Sequence, residues 1–215
     1  MTHSSPGKRP SCTRCLRPPG TCICQWIAPV APLVEVLLLQ HPLEVHNPKG
    51  SARLLHLSLQ GSRMATGEVF DGRLLLGSPE DDSPVLHSLK YNILLYPDTP
   101  PEHAQGVPPP PEMAPDVLRN PSQLRLIVLD GTWRKSRKML YLNPLLHHMP
   151  RLSLRGLPAS RYRIRKARHA HHLSTLEATC AALAQLEGAG EKFQAVLEAF
   201  DGFVAQQLAY RTDHG

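Results

Sequence analysis

Apolar residues along this chain gather into runs of two kinds. Residues 33–39, 92–96 and 124–129 are short and nearly unbroken, the pattern of strands covered on both faces of a sheet. Other segments repeat apolar positions three and four apart, the helical period. Residues 49–59 do so through Ala52, Leu55 and Leu59. Leu173, Leu176, Cys180, Leu183 and Leu186 trace one helical face up to Gly188. A last helix over 191–210 carries Phe193, Val196, Leu197, Phe200, Val204 and Leu208. Between 61 and 90 the pattern is mixed, with strand-like pieces at 68–70 and 74–76, and 152–154 is another short strand candidate. Strands alternating with helices predict an α/β fold on a parallel sheet.

Punctuation between these runs places the turns. Asn143-Pro144 stops a helix that follows the third strand. Prolines crowd residues 97–121, and neither a helix nor a central strand survives that density. Too few residues follow for another full sheet, so this stretch is an exposed loop or insertion, not a domain boundary. Ser174-Thr175-Leu176-Glu177 fits a capping box with Ser174 as N-cap and Glu177 at N3. Capping alone accounts for both residues.

The most informative turn follows the third strand, where apolar residues give way to Asp130-Gly131-Thr132-Trp133 and then to Arg134, Lys135, Arg137 and Lys138. Open α/β sheets place ligands at strand carboxyl ends, and a helix amino terminus there favours an anion. Thr132 is the expected N-cap. The first strand ends comparably in Gln40-His41-Pro42-Leu43-Glu44. His41 and Glu44 serve equally well as site residues or as residues holding the loop together.

Charge sharpens the picture. The 215 residues carry 24 Lys and Arg against 18 Asp and Glu, a net charge of +6, and a sequence pI near 9.2. A basic surface suits a polyanion, nucleic acid first. Arg161, Tyr162, Arg163, Arg165, Lys166 and Arg168 concentrate that charge. Extended, the run puts Arg161, Arg163 and Arg165 on one side for phosphates, with Tyr162 available to stack; a solvated loop is the plainer alternative. No apolar run reaches the roughly 18 residues of a membrane span, and the polar first ten residues do not read as a secretory signal. A cytoplasmic protein without a membrane partner or an obligate protein partner is expected.

Four of the five cysteines fall within thirteen residues, as Cys12-x2-Cys15 and Cys22-x-Cys24. In a cytosolic chain such clustering favours metal over disulfides. Four thiolates close a tetrahedral Zn2+ site with no open position, which is structural rather than catalytic. The expected organisation is a tail and zinc knuckle over 1–28 followed by a catalytic domain over 29–215. Cys180, alone in a helix, reads as a buried small hydrophobe.

Taken in order, the knuckle, Gln40-His41-Pro42-x-Glu44, Asp130-x-Thr132-Trp133 and Ser174-Thr175-Leu176-Glu177-Ala178 resemble the DTW-domain family, over residues 12 to about 209. Ser51 stands where that family usually has threonine. A proline expected after Lys166 is replaced by Ala167-Arg168-His169. The resemblance implies a SPOUT-like α/β fold, a parallel sheet flanked by helices. It also implies transfer of the 3-amino-3-carboxypropyl group of S-adenosylmethionine to N3 of a tRNA uridine, releasing 5′-methylthioadenosine.

On that reading Asp130, Thr132 and Trp133 form the catalytic centre. Asp130 takes the uracil N3 proton or holds the cofactor's amino group. Thr132 and the helix start receive the cofactor carboxylate or a tRNA phosphate, and Trp133 either stacks on a base or packs in the core. The cofactor is expected against Leu39, Gln40, His41, Leu95, Tyr96, Pro97, Leu129, Leu152, Leu173, Ser174, Thr175 and Glu177. The tRNA is expected against Arg134, Lys135, Arg137, Lys138 and the six residues between Arg161 and Arg168. Two rival readings are an S-adenosylmethionine-dependent RNA methyltransferase of the SPOUT class and a non-catalytic zinc-containing RNA-binding module.

Overall fold

A computed structural model describes residues 10–77, 90–97, 108–154, 160 and 173–214. Five parallel strands, β1 (Glu35–Gln40), β2 (Arg63–Thr66), β3 (Tyr91–Leu95), β4 (Leu124–Asp130) and β5 (Arg151–Leu152), form one sheet in the order β2-β1-β4-β3-β5. The central strand β4 is buried along its whole length, which explains why its sequence is a continuous apolar run rather than an alternation.

Helices cover both faces. Val36, Leu38, Ile93, Leu126 and Val128 point toward α1 (Ala52–Ser58), α4 (Thr175–Glu187) and α5 (Gln194–His214), where Leu54, Leu55, Leu183, Phe200 and Phe203, with Phe193 of the 3-10 turn before α5, complete a large core. Leu37, Leu39, Leu94, Ile127 and Leu129 point the other way, onto Leu75 of α2 (Gly72–Leu76) and Met139 and Leu140 of α3 (Trp133–Leu142). The chain therefore leaves β1 toward one edge over one face, and leaves β4 toward the other edge over the opposite face. The crevice between the carboxyl ends of β1 and β4 is a topological switch point, where open sheets bind ligands.

The parallel sheet flanked by helices agrees with the pattern of the sequence, and several boundaries need correction. Residues 68–70 form a bend, not a strand. The strand nearby is Arg63–Thr66, an edge strand only partly buried, so it carries no apolar run to mark it. Residues 74–76 belong to α2: the Asp71 carboxylate accepts from the Arg73 N–H at 2.7 Å to start it, and Gly77 ends it at φ +78°. Three consecutive leucines hold no period that separates helix from strand. Leu33 and Val34 precede β1, donating their N–H groups to Glu187 at 2.7 and 3.1 Å. On α5, Phe203 is fully buried while Leu208 is 38% exposed. A single stripe misassigns both because the amino-terminal knuckle covers a second side of that helix. Of the proline-rich stretch, residues 108–121 have only short 3-10 turns, and 98–107 lie outside the described residues. Among the described residues, no helix is long and apolar enough to cross a membrane.

Candidate active site and metal centre

Register brings the strand-end residues together. Gln40 and Asp130 are paired neighbours at the last positions of β1 and β4. The Gln40 amide donates to Asp130 Oδ2 at 2.9 Å, and the Thr175 hydroxyl donates to Oδ1 at 2.7 Å. Asp130 is 5% exposed; a carboxylate with that little water requires such donors. Three elements, β1, β4 and the start of α4, thus converge on one carboxylate. The His41 N–H also donates to the Asp130 carbonyl, at 2.9 Å.

The start of α4 is built as the sequence predicts. Ser174 Oγ accepts from the Glu177 N–H at 3.2 Å, and Glu177 accepts from the Ser174 N–H at 2.7 Å, a complete capping box. Gly188 closes the helix in the left-handed region at φ +62°. Ser160 donates to both Glu177 carboxylate oxygens, at 3.1 and 2.9 Å.

Thr132 caps α3, accepting from the Lys135 N–H at 3.4 Å. Trp133 is 54% exposed, with its ring edge-on to Tyr96, centroids 6.1 Å apart. That exposure excludes core packing for Trp133. Arg151 lies over the other ring of this pair, 5.3 Å from the Tyr96 centroid, and burial pushes the Tyr96 phenol upward. Gly131 sits in a close approach: a Cβ there would lie 3.1 Å from the Lys135 Cβ and 3.7 Å from that of His41.

The four cations of α3 divide into two kinds. Lys135 donates to Glu44 at 2.7 Å and Lys138 to Glu68 at 2.7 Å. Glu68 also receives the His41 ring at 2.7 Å, while the other His41 ring nitrogen accepts from the Leu43 N–H, so the proton sits on Nε2. Lys138, and then His41, hold the Glu68 carboxyl below its usual value despite partial desolvation. Asn143 fastens the same bend, donating to the Glu68 carbonyl at 2.8 Å and accepting from the Phe70 N–H at 2.8 Å. Arg134 and Arg137 are exposed and have no ion pair among the described residues. His41 and Glu44, 3% and 4% exposed, therefore organise the loop after β1. Glu68 escaped the sequence reading because nothing local connects it to α3.

Of the other residues expected near a cofactor, Leu39, Tyr96, Leu129 and Leu152 are buried, Leu95 and Leu173 partly so, and Pro97 is exposed. Leu95 and Leu152 are register partners on neighbouring strands, and Leu39 pairs with Leu129. Arg161, Tyr162, Arg163, Arg165, Lys166 and Arg168 lie outside the described residues.

At the amino terminus, the sulfurs of Cys12, Cys15, Cys22 and Cys24 all lie within 4.8 Å of one another. Cys12 and Cys24 are 3.6 Å apart, as are Cys15 and Cys22. A tetrahedron of sulfurs about 2.3 Å from Zn2+ has edges of about 3.8 Å, so the donor set fits that ion in identity, number and spacing. The surroundings split the thiols: backbone bonds from Cys15 and Arg14 hold Cys12 down at about 6. Burial, followed by neighbouring thiols, pushes Cys24 up to about 12. A divalent cation would relieve that crowding by taking all four as thiolates.

The knuckle is docked onto the core. Cys15 and Ile23 are buried in it. The Trp26 indole donates to Gln206 of α5 at 2.6 Å, and Gln206 donates back to the Cys22 carbonyl at 3.1 Å. A Cβ on Gly202 would collide with the Trp26 ring. Trp26 and Gln206 are 180 residues apart, too far for local pattern to link them. Cys180 is buried and pushed up to about 12 by that burial, consistent with a core role.

The model of the DTW domain matches residues 9–208. A Drosophila melanogaster protein named tRNA-uridine aminocarboxypropyltransferase 2 is 28% identical over 219 residues, covering 97% of this chain and 79% of its own length. Proteins of the same name from Macaca fascicularis and Mus musculus are 28% and 29% identical over 183 residues, 84% of this chain. The chain spans 57% of the length of those two relatives. No solved structure matches significantly.

Proposed function

The chain belongs to the DTW-domain family, and from that premise we propose that it is a tRNA-uridine aminocarboxypropyltransferase acting on tRNA in the cytoplasm. The observation that carries the reading is the Asp130 carboxylate, held by Gln40 and Thr175 at the switch point. S-adenosylmethionine would supply an electrophilic Cγ, so that a C–N3 bond replaces the N3–H bond of uridine, the proton passes to a base, and 5′-methylthioadenosine leaves.

Each part of the site then has work to do. Gln40 and Thr175 fix the orientation of the Asp130 carboxylate. Asp130 accepts the uracil N3 proton, a role that requires hydrogen-bond reach and fixed orientation. Trp133, exposed beside the strand ends, contributes its indole to recognition of the base. Loops following β1, β3 and β5, with the start of α4, bind the cofactor and orient its carbon toward uridine, where positioning supplies much of the rate. Arg134 and Arg137, on the exposed side of α3, contact tRNA phosphates, while the Lys135 and Lys138 ion pairs hold the loops after β1 and β2 against α3. The four-cysteine knuckle carries Zn2+ in a structural role.

Nucleoside mass spectrometry of tRNA incubated with the protein and S-adenosylmethionine tests the proposal. A 3-amino-3-carboxypropyl uridine together with methylthioadenosine is the expected pair of products. A methylated nucleoside with S-adenosylhomocysteine would replace the reading by a methyltransferase. No product, with tRNA bound, would favour an RNA-binding module.

A further inference from the structure

Ser51 stands at the N-cap of α1, yet its side chain makes no cap bond there. The residue is buried, and its oxygen accepts instead from the backbone N–H of Leu176, at 3.3 Å and 125 residues away. Leu176 lies in the first turn of α4, where a helix has no carbonyl of its own to offer. Its two neighbours are committed elsewhere. Thr175 donates to Asp130, and the Glu177 N–H bonds to Ser174. A capping box defines where a helix starts, but it is internal to the helix and cannot place that start against the sheet. The Ser51 bond joins the start of α4 to another element, next to the residue that holds Asp130.

Ser51 is in turn presented by the knuckle. The Arg17 guanidinium donates to the carbonyls of Pro48 at 2.7 Å and Gly50 at 3.0 Å, spanning the residues just before Ser51. Arg17 belongs to the metal loop: its carbonyl accepts from the Cys12 N–H at 2.8 Å. From the other side, Arg53 of α1 donates to the Arg14 carbonyl at 2.6 Å. Knuckle and α1 are thus stitched together in both directions across the segment that carries Ser51.

We propose that Ser51 is a positioning residue for the reaction centre, and that the four-cysteine knuckle acts on that centre through Arg17, the 48–50 loop and Ser51. The path runs from the metal loop to the first turn of α4, so that Thr175 meets Asp130 in one geometry. The knuckle is then part of the catalytic scaffold.

Hydrogen exchange on the purified, metal-loaded full chain tests the path without reference to activity. Ser51→Ala should raise exchange of the Leu176 amide by about fivefold or more, and Ser51→Thr, which keeps the hydroxyl, should leave it near the wild-type rate. Arg17→Met should raise exchange at residues 48–52 and at Leu176, with bound zinc unchanged. The kinetic arm rests on the proposed transfer activity. There Ser51→Ala should lower kcat by about tenfold or more with KM for tRNA little altered, and Ser51→Thr should restore it. Unchanged Leu176 exchange in Ser51→Ala, unchanged kcat despite faster exchange, or loss of zinc in Arg17→Met would each overturn the proposal. Faster exchange in a protein whose wild type transfers nothing would support the hydrogen-bond path and refute the functional reading instead.

Discussion

The two polar centres of this protein are built in opposite ways. The knuckle draws its four sulfurs from residues 12–24, and a proline-rich bend brings them together. The strand-end centre draws Gln40, Asp130 and Thr175 from positions separated by 90 and 45 residues. One site is made by the local chain, four thiols at the spacing of a metal-ligand set, with the rest of the molecule as its support. The other exists only because β1 and β4 pair in parallel with Gln40 opposite Asp130. The difference teaches where each is vulnerable: the first to loss of a ligand, the second to any shift between elements.

The largest effect should come from Asp130. Asp130→Ala is expected to lower transfer by about a thousandfold, within the range for loss of a positioned acid or base, while tRNA affinity measured by filter binding stays within a few fold. Equal loss of binding would mean that Asp130 supports the fold more than the chemistry. A secondary cost is expected in stability, because the Gln40 and Thr175 donors lose their partner.

Replacing Cys12 and Cys15 together by serine should abolish the one bound zinc per chain, read by elemental analysis. About 3 kcal/mol of lost stabilisation corresponds to a fall in Tm of roughly 10 °C for a chain of this size. A metal-free protein with an unchanged Tm would remove the knuckle from the comparison altogether.

Gly202→Ala separates docking from metal binding. Its new methyl group meets the Trp26 ring, and overpacking of that kind costs about 1–3 kcal/mol. Denaturation should show the loss with zinc content unchanged. Zinc loss in this variant would mean that the knuckle cannot fold without α5.

The smallest effect is expected on the exposed side of α3. Arg134→Ala with Arg137→Ala should weaken tRNA binding and lower the salt slope of log K by about two, roughly one per phosphate contact. Lys135→Met should leave that slope nearly unchanged, since its ammonium already faces Glu44. An equal change in slope for the lysine would make all four cations part of the RNA grip.

Much of the architecture was legible before any coordinates. Continuous apolar runs marked β1, β3 and β4 because strands buried on both faces need no polar side. The capping box at Ser174 and the Thr132 cap were legible because both are local hydrogen-bond patterns. Edge strand β2 was not, since half-exposed strands need no apolar run, and α2 was not, since three leucines carry no period. Gln40 and Thr175 were named for the cofactor, whereas their shared hold on Asp130 depends on register. Glu68 as partner to both His41 and Lys138, Arg17 as a brace, and Trp26 against Gly202 had no signal at all within a local window.

What the sequence determined by itself is thus the chemistry available within a few turns of chain: the four-thiol metal set, the caps, the buried strands and the polar turn at their ends. Tertiary structure alone decided which of those polar groups meet. Sheet register selected Gln40 for Asp130, the packing of α4 brought Thr175 to the same carboxylate, and Ser51 was drawn from its own helix to another. Short-range hydrogen bonds follow from residue type and spacing, whereas long-range ones follow from how layers pack, and packing energy is summed over many side chains no one of which carries the information.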